Sequence, residues 1–143
     1  MENILVSACL LGVSCRYDGK SKANEAVLAL REKYNLIPVC PEVFGGLSTP
    51  RTPSERVDER VVMKDGRDVT ENYSRGADEA VRLCEIYKIK TAVLKERSPS
   101  CGKGEIYDGS FSGKLTERDG VTAERLMKMG VRVIGESEIN ILL

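Results

Sequence analysis

The chain of 143 residues contains five cysteines and no histidine. Three of them, Cys9, Cys40 and Cys101, each lie just past a short apolar segment that is typical of a β-strand. In an open parallel α/β sheet, ligands bind at the carboxyl ends of the strands, so these thiols are expected to meet at one edge. Thiolates select zinc or iron–sulfur clusters, and a set of three leaves one coordination position open for chemistry. The alternative is three unrelated, half-buried thiols.

The other two cysteines, Cys15 and Cys84, are weaker candidates for ligands. Cys84 lies on the apolar stripe of a predicted helix, where a free cysteine behaves as a small buried hydrophobic residue. Cys15 lies in the loop after Cys9 and is a fourth ligand, a resolving thiol or a plain loop residue. No pair of cysteines has the compact CxxC spacing that a zinc ribbon requires.

Acid–base chemistry in this chain must come from groups other than imidazole. Glu42, two residues after Cys40, is the first choice, because a carboxylate in a partly dry pocket can act as general acid or base. A solvated loop glutamate is the alternative. Ser98 and Ser100 precede the third cysteine, and their hydroxyls are candidates for binding a substrate or a cluster sulfur. A serine–proline pair is also an ordinary turn signal, and a Ser-His-Asp triad is excluded.

The first loop places a cation, an aromatic ring and a carboxylate side by side, as Arg16, Tyr17 and Asp18. This combination suits a wall that contacts a substrate. Gly19 follows directly, so the same residues also suit a plain turn. We therefore treat these three residues as candidate substrate contacts.

The elements that position these residues follow from the apolar pattern. Strands are predicted over residues 4–8, 36–39, 91–94 and 131–134, and helices over residues 24–34, 70–88 and 121–129. Their alternation predicts a single α/β domain over residues 1–143. We expect a mostly parallel Rossmann-like sheet with flanking helices and long loops at the carboxyl ends of the strands. Pro38 indicates an edge position or an irregular end for the second strand.

The segments between these elements are predicted to be irregular. Residues 40–65 form a long loop in this interpretation, with a small hairpin that pairs residues 61–63 with residues 67–69. Residues 102–113 form a second, glycine-rich loop. Thr70 is expected to cap the second long helix, and Ser137 to cap a short final one.

Composition excludes several classes of partner. Lys plus Arg and Asp plus Glu both total 22, and this balance gives no electrostatic footprint for a long nucleic acid or an anionic membrane. No segment approaches the ~18 apolar residues of a membrane span. The N-terminus lacks the basic start and apolar stretch of a secretory signal. We expect a cytoplasmic protein whose cysteines are thiols or metal ligands rather than disulfides.

Four motifs, in order along the chain, resemble those of a known family, domain-of-unknown-function family 523. They are Ser7–Gly12, Arg16–Gly19, Cys40–Glu42 with Gly45–Leu47 and Pro50–Arg51, and Ser98–Gly102. Members of this family include thiouracil desulfurases, also called desulfidases. The resemblance implies a [4Fe-4S] cluster held by Cys9, Cys40 and Cys101, whose fourth iron takes the sulfur of a thiolated pyrimidine. It also implies that Glu42 and Ser98 are the acid–base and substrate-assisting residues.

The leading hypothesis is therefore an iron–sulfur-dependent desulfurase. It would convert thiouracil, thiouridine or a thiolated nucleotide to the oxo base and release sulfide. A second hypothesis keeps the cluster but delivers sulfur to an acceptor or activates a hydroxylated substrate. A third is a zinc- or cluster-binding thiol sensor without catalytic activity, in which Cys15 is the fourth ligand.

Overall fold

The computed structural model describes residues 1–143. Along the chain, the strands are β1 (Glu2–Ser7), β2 (Tyr34–Val39), β3 (Ser54–Val57), β4 (Arg60–Met63), β5 (Thr91–Leu94), β6 (Ile106–Tyr107), β7 (Leu115–Thr116) and β8 (Arg132–Gly135). The α-helices are α1 (Glu25–Ala29), α2 (Pro41–Phe44), α3 (Thr70–Tyr87) and α4 (Val121–Lys128). Short 3-10 turns cover Ala8–Leu11, Leu30–Glu32 and Glu136–Ile141.

The core of the fold is a four-stranded sheet in the order β2-β1-β5-β8, in which every neighbouring pair is parallel. The predicted α/β class with a parallel sheet is confirmed. Pro38 lies in β2, which is an edge strand. Because all four strands run in the same direction, the loops that follow them lie together at the carboxyl ends of the strands.

The central strand β1 is buried on both faces, and Ile4, Leu5 and Val6 are 0% exposed. Successive side chains of a strand point to opposite faces. Ile4 and Val6 pack with Leu30 beside α1, whereas Leu5 packs with Ala80 of α3. Burial of each such side chain stabilises the fold by roughly 1.5–3 kcal/mol, so β1 anchors the sheet and the loop that follows it.

The first helix is shorter than the sequence pattern predicts. Its α-helical part ends at Ala29, a 3-10 turn follows, and Tyr34 already belongs to β2. The helical spacing of Tyr34 led to the wrong prediction, because Tyr34 packs against the same core cluster as the helix although it lies in β2. Asn24 begins the helix, and its side chain accepts a hydrogen bond from the backbone N of Val27 at 3.1 Å, as a favourable N-cap does.

The prediction of an irregular segment over residues 40–65 was wrong. It contains α2 and an antiparallel hairpin of β3 and β4. The predicted pairing of residues 61–63 with residues 67–69 is present as an antiparallel bridge between Val62 and Asp68 and two backbone hydrogen bonds, from Met63 N to Arg67 O and from Val69 N to Val61 O. Strand β3 was not predicted because its buried position 56 holds an arginine, whereas the usual strand pattern has an apolar residue at a buried position.

Three smaller expectations also need correction. Residues 102–113 are not only loop, because β6 pairs with β7 there. Thr70 is the first residue of α3 rather than its cap, and the carboxylate of Asp68 accepts from the Thr70 backbone N at 2.9 Å. Ser137 does not cap the final turn. Gly135 precedes that turn, and the Glu138 carboxylate accepts from its backbone N at 3.1 Å.

No helix in the structure has the length and apolar character needed to cross a membrane.

Candidate active site

The three cysteines singled out by sequence line one cavity of about 620 Å³. Cys9 follows β1, Cys40 follows β2, and Cys101 lies in the loop after β5. All three strands are neighbours in the parallel sheet. Their carboxyl ends therefore bring together residues that are 31 to 92 positions apart in the chain, as the sequence pattern predicts.

Local structure holds each cysteine in place. Cys9 lies in the 3-10 turn after β1, where its carbonyl accepts from the backbone N of Gly12 at 3.2 Å and of Lys22 at 2.9 Å. Cys101 lies in a turn organised by Ser98, whose hydroxyl oxygen accepts from the backbone N of Ser100 at 3.1 Å and of Cys101 at 3.0 Å. Backbone hydrogen bonds within ordered turns thus fix the positions of Cys9 and Cys101.

Cys40 is fixed by a close contact between helices. It is the N-cap of α2, and Glu42 lies in the first turn of that helix. A Cβ at Gly76 of α3 would lie only 1.9 Å from the carbonyl oxygen of Pro41. Glycine is therefore required at position 76 for α2 to lie so close to α3, and this contact sets the position of both Cys40 and Glu42.

The thiols differ in their acidity. Burial raises the pKa of Cys9 to about 11 and raises that of Cys101 further. Cys15 and Cys40 are close neighbours, and the Cys40 thiol donates to the carbonyl oxygen of Cys15 at 3.7 Å. The interaction between the two thiols lowers the pKa of Cys40 to about 7 and raises that of Cys15. Buried thiolates require a compensating positive charge, and a bound metal centre would supply it.

The arrangement of the thiols distinguishes a site for a single metal ion from a site for a cluster. No group of three or more cysteine, aspartate or glutamate side chains is arranged around a point that a single metal ion would occupy. In a tetrahedral zinc site the thiolates are only about 3.8 Å apart. In a [4Fe-4S] cluster each thiolate binds its own iron, so the donors stand farther apart. Three thiols that line one cavity without converging on a single-ion site fit the cluster better than a single ion.

Glu42 is held by a buried arginine. Its Oε1 accepts a hydrogen bond from Arg51 Nε at 3.0 Å, and the side chains are only 16% and 4% exposed. The same guanidinium donates to the carbonyl oxygen of Cys15 at 3.0 Å and to that of Ser48 at 3.1 Å. Arg51 was not singled out as a site residue from the sequence, although the Pro50–Arg51 motif was the available signal.

The structure separates the other predicted site residues into two groups. Arg16 and Tyr17 line the cavity, as does Ser98. Asp18 and Ser100 do not. The Asp18 carboxylate accepts from the backbone N of Lys20 at 3.0 Å and so supports the turn. Ser100 is 0% exposed, and its hydroxyl is paired with that of Thr122 at 2.9 Å.

Sequence reasoning also missed residues on the cavity wall. Three cations, Lys22, Lys64 and Arg97, line it without forming any ion pair or side-chain hydrogen bond. Tyr73 of α3 lines it as well. Lys22 and Arg97 lie in the loops that follow β1 and β5, and this position could have indicated them as cavity residues. No sequence feature indicated Tyr73, because its spacing is that of the apolar stripe of a helix.

The chain is similar to known proteins over nearly its whole length. A family model described as 2-thiouracil desulfurase matches residues 4–138. The uncharacterised protein YbbK of Bacillus subtilis (strain 168) is 42% identical over 150 residues, which cover 98% of this chain and 99% of that protein. The solved structure of a [4Fe-4S]-dependent thiouracil desulfidase, TudS, is 46% identical with a TM-score of 0.94 and covers 99% of this chain and 95% of that one. The family predicted from the sequence is confirmed: the chain belongs to the 2-thiouracil desulfurase family.

Proposed function

We propose that this protein removes sulfur from a thiolated pyrimidine at a [4Fe-4S] cluster held by Cys9, Cys40 and Cys101. The observation that carries the proposal is the meeting of these three thiols on one cavity, at the carboxyl ends of three neighbouring strands. Three protein thiolates leave the fourth iron open. When bound, the cluster supplies a Lewis acid with affinity for sulfur, which polarises the carbon–sulfur bond of the substrate.

Glu42 is the group that activates water in this proposal. Arg51 holds its Oε1, and Oε2 makes no hydrogen bond within the protein. Oε2 is therefore available to take a proton from a water molecule that attacks the thiocarbonyl carbon. The new carbon–oxygen bond replaces the carbon–sulfur bond, and sulfur leaves as sulfide, so the overall reaction is a hydrolysis without net electron transfer.

Ser98 is placed to assist through its hydroxyl hydrogen. Its oxygen already accepts two backbone hydrogen bonds from the turn that carries Cys101. The O–H itself remains free to donate to a substrate in the cavity. The residue therefore has two roles in this proposal: it shapes the Cys101 turn and it presents a donor.

The cavity wall indicates which thiolated compound fits best. Lys22, Lys64 and Arg97 are unpaired cations, whereas the acidic Glu55 and Glu96 already accept hydrogen bonds from the protein. Unpaired cations favour an anionic substrate. Among free base, nucleoside and nucleotide, the nucleotide is the best match. We expect the highest kcat/KM for a thiouridine monophosphate, and equal values for thiouracil and thiouridine monophosphate would contradict this assignment.

The proposal is tested on protein purified and reconstituted without oxygen. We expect about four irons and four acid-labile sulfides per chain, with turnover of a thiolated uracil compound to the oxo base and free sulfide. Cys40→Ala should abolish both cluster binding and turnover. Cys84→Ala is the matched control, because Cys84 is buried in α3 away from the cavity. Cluster binding without release of sulfide would overturn the reaction, and transfer of sulfur to an acceptor would favour the second hypothesis.

The non-catalytic alternative has its own test at Cys15. This thiol lies beside Cys40 and lines the cavity, so a four-thiolate site is the specific alternative. Cys15→Ala should retain about four irons per chain and most of its turnover if three thiolates hold the cluster. Loss of the metal in Cys15→Ala would instead support the sensor.

A further inference from the structure

Tyr73 carries a buried polar group that the fold does not explain. The residue is 1% exposed, and its hydroxyl has no hydrogen-bond partner. Buried hydroxyls are almost always hydrogen-bonded, because an unpaired one loses its hydrogen bonds to water on folding and gains none in the protein, which lowers stability. A phenylalanine would fill the same space without that cost. The hydroxyl therefore points to a role outside packing.

The hydroxyl faces the candidate active site. Tyr73 lines the same cavity as Glu42 and Ser54. Burial, followed by the charge of the neighbouring Glu42 carboxylate, raises the pKa of Tyr73 well above its ordinary value. The phenol thus stays protonated and can act as a hydrogen-bond donor beside the carboxylate.

The ring of Tyr73 is held rigidly. It forms a separate small core with Val61 and Met63 of β4 and with Val69, which precedes α3. This core lies outside the two clusters that pack on the main sheet. Its position fixes the hydroxyl relative to α2, because α3 and α2 are in direct contact at Gly76 and Pro41.

We propose that Tyr73 is a positioning residue for Glu42: its hydroxyl donates to the carboxylate oxygen that Arg51 leaves free and orients that oxygen toward the substrate. Arg51 and Tyr73 would then hold Glu42 from two sides. Hydrogen bonds of this kind are often open in a free enzyme and close when substrate binds. The inference rests on the proposed role of Glu42 in activating water.

The test measures kcat and KM of the cluster-loaded enzyme after Tyr73→Phe, which removes only the hydroxyl. We expect kcat to fall about tenfold, as for the loss of one hydrogen bond to a charged group, with KM little changed. Iron content and the melting temperature should stay at the level of the unmodified protein. Tyr34→Phe is the control, because the Tyr34 hydroxyl contacts the Leu142 carbonyl at 3.4 Å and lies outside the cavity.

A second background separates positioning from packing. Glu42→Asp shortens the side chain by one methylene and moves the carboxylate away from the phenol. In this background we expect Tyr73→Phe to cause no further loss of kcat, measured by single turnover if the variant is slow. An equal loss in both backgrounds would show independent effects and overturn the proposal, as would an unchanged kcat in Tyr73→Phe alone.

Failure of the proposed role of Glu42 is recognised separately. Glu42→Gln removes the proton acceptor, so we expect it to reduce kcat far more than Tyr73→Phe does. Full turnover in Glu42→Gln would refute the role of Glu42, and the inference about Tyr73 with it. A strong loss in Glu42→Gln together with normal Tyr73→Phe would refute only the inference about Tyr73.

Discussion

Arg51 joins three parts of the candidate site through one guanidinium group. It contacts the Glu42 carboxylate, the carbonyl of Cys15 and the carbonyl of Ser48. Its backbone N also donates to the carbonyl of Tyr17 at 2.8 Å. The planar guanidinium has five N–H donors in a rigid fork, so it can hold these acceptors in fixed directions, whereas the ammonium of lysine has three donors on a flexible stem. Arg51 thus ties the cysteine-bearing first loop to α2.

Arg51→Met should therefore destabilise the protein strongly. It leaves the Glu42 carboxylate, which is 16% exposed, without its partner, and removal of one member of a buried ion pair costs about 3 kcal/mol. Urea unfolding of the cluster-free protein measures the change. Arg82→Met is the control, because Arg82 forms only an exposed pair with Glu79 at 3.7 Å, worth less than about 1 kcal/mol. Equal, small effects of both variants would contradict this role of Arg51.

At this scale the sequence predicted the residues whose signal is local. Cys9 and Cys40 lie within two residues of the ends of β1 and β2, so their place at the carboxyl ends of the sheet strands could be predicted from the pattern. Ser100 could not be distinguished from Ser98 in this way, because its hydroxyl is paired with Thr122, 22 residues farther along the chain. The place of Tyr73 in the cavity wall also could not be predicted from the sequence, because it depends on the packing of α3 against the β3–β4 hairpin.

The β3–β4 hairpin is one of the elements that sequence reasoning missed, and a buried arginine connects it to α4. Arg56 in β3 is 7% exposed and donates to the Glu124 carboxylate at 2.7 Å and to the Asp119 carbonyl at 2.8 Å. A charged residue in a buried strand position is unusual in sequence, and the hydrogen-bond partners of Arg56 Nη1 are residues more than 60 positions away. The hairpin also supplies Ser54 and Glu55 to the cavity wall.

This connection makes a pH-dependent contribution to stability. The hydrogen bond from Arg56 holds the pKa of Glu124 below its ordinary value of 4.5. A carboxyl group with a lowered pKa in the folded state stabilises the protein above its unfolded pKa and loses that effect as the pH falls. The Glu124 side chain is 38% exposed, so solvent screens much of its charge. Glu124→Gln should therefore lower the free energy of unfolding at pH 7 by no more than about 1 kcal/mol, and the difference from the unmodified protein should shrink below pH 4.5.

Urea unfolding at pH 7 and pH 3 measures this effect. Glu79→Gln is the control, because Glu79 pairs only with an exposed arginine. A difference that stays constant between the two pH values would show that Glu124 acts through packing rather than through its charge.

At the scale of the whole molecule, the proposed ligands belong to the loops after three neighbouring strands. No short peptide contains two of them, so the site exists only when β1, β2 and β5 are assembled. A group that binds the folded chain and not the unfolded one stabilises the fold. The proposed cluster would thus connect chain segments that are 31 and 61 residues apart, in addition to its chemical role.

Loss of the cluster should therefore lower the melting temperature of the whole domain. A centre bound about a thousandfold above its dissociation constant contributes about 4 kcal/mol, which for a chain of this size corresponds to a shift on the order of 10 °C. Circular dichroism under anaerobic conditions compares reconstituted and cluster-free protein. Cys101→Ala should show no shift on reconstitution, whereas Cys84→Ala should show the full one. If the unmodified protein binds four irons yet melts at the same temperature as the cluster-free form, the centre is not held jointly by the three strands, and a surface-bound cluster is then the better explanation.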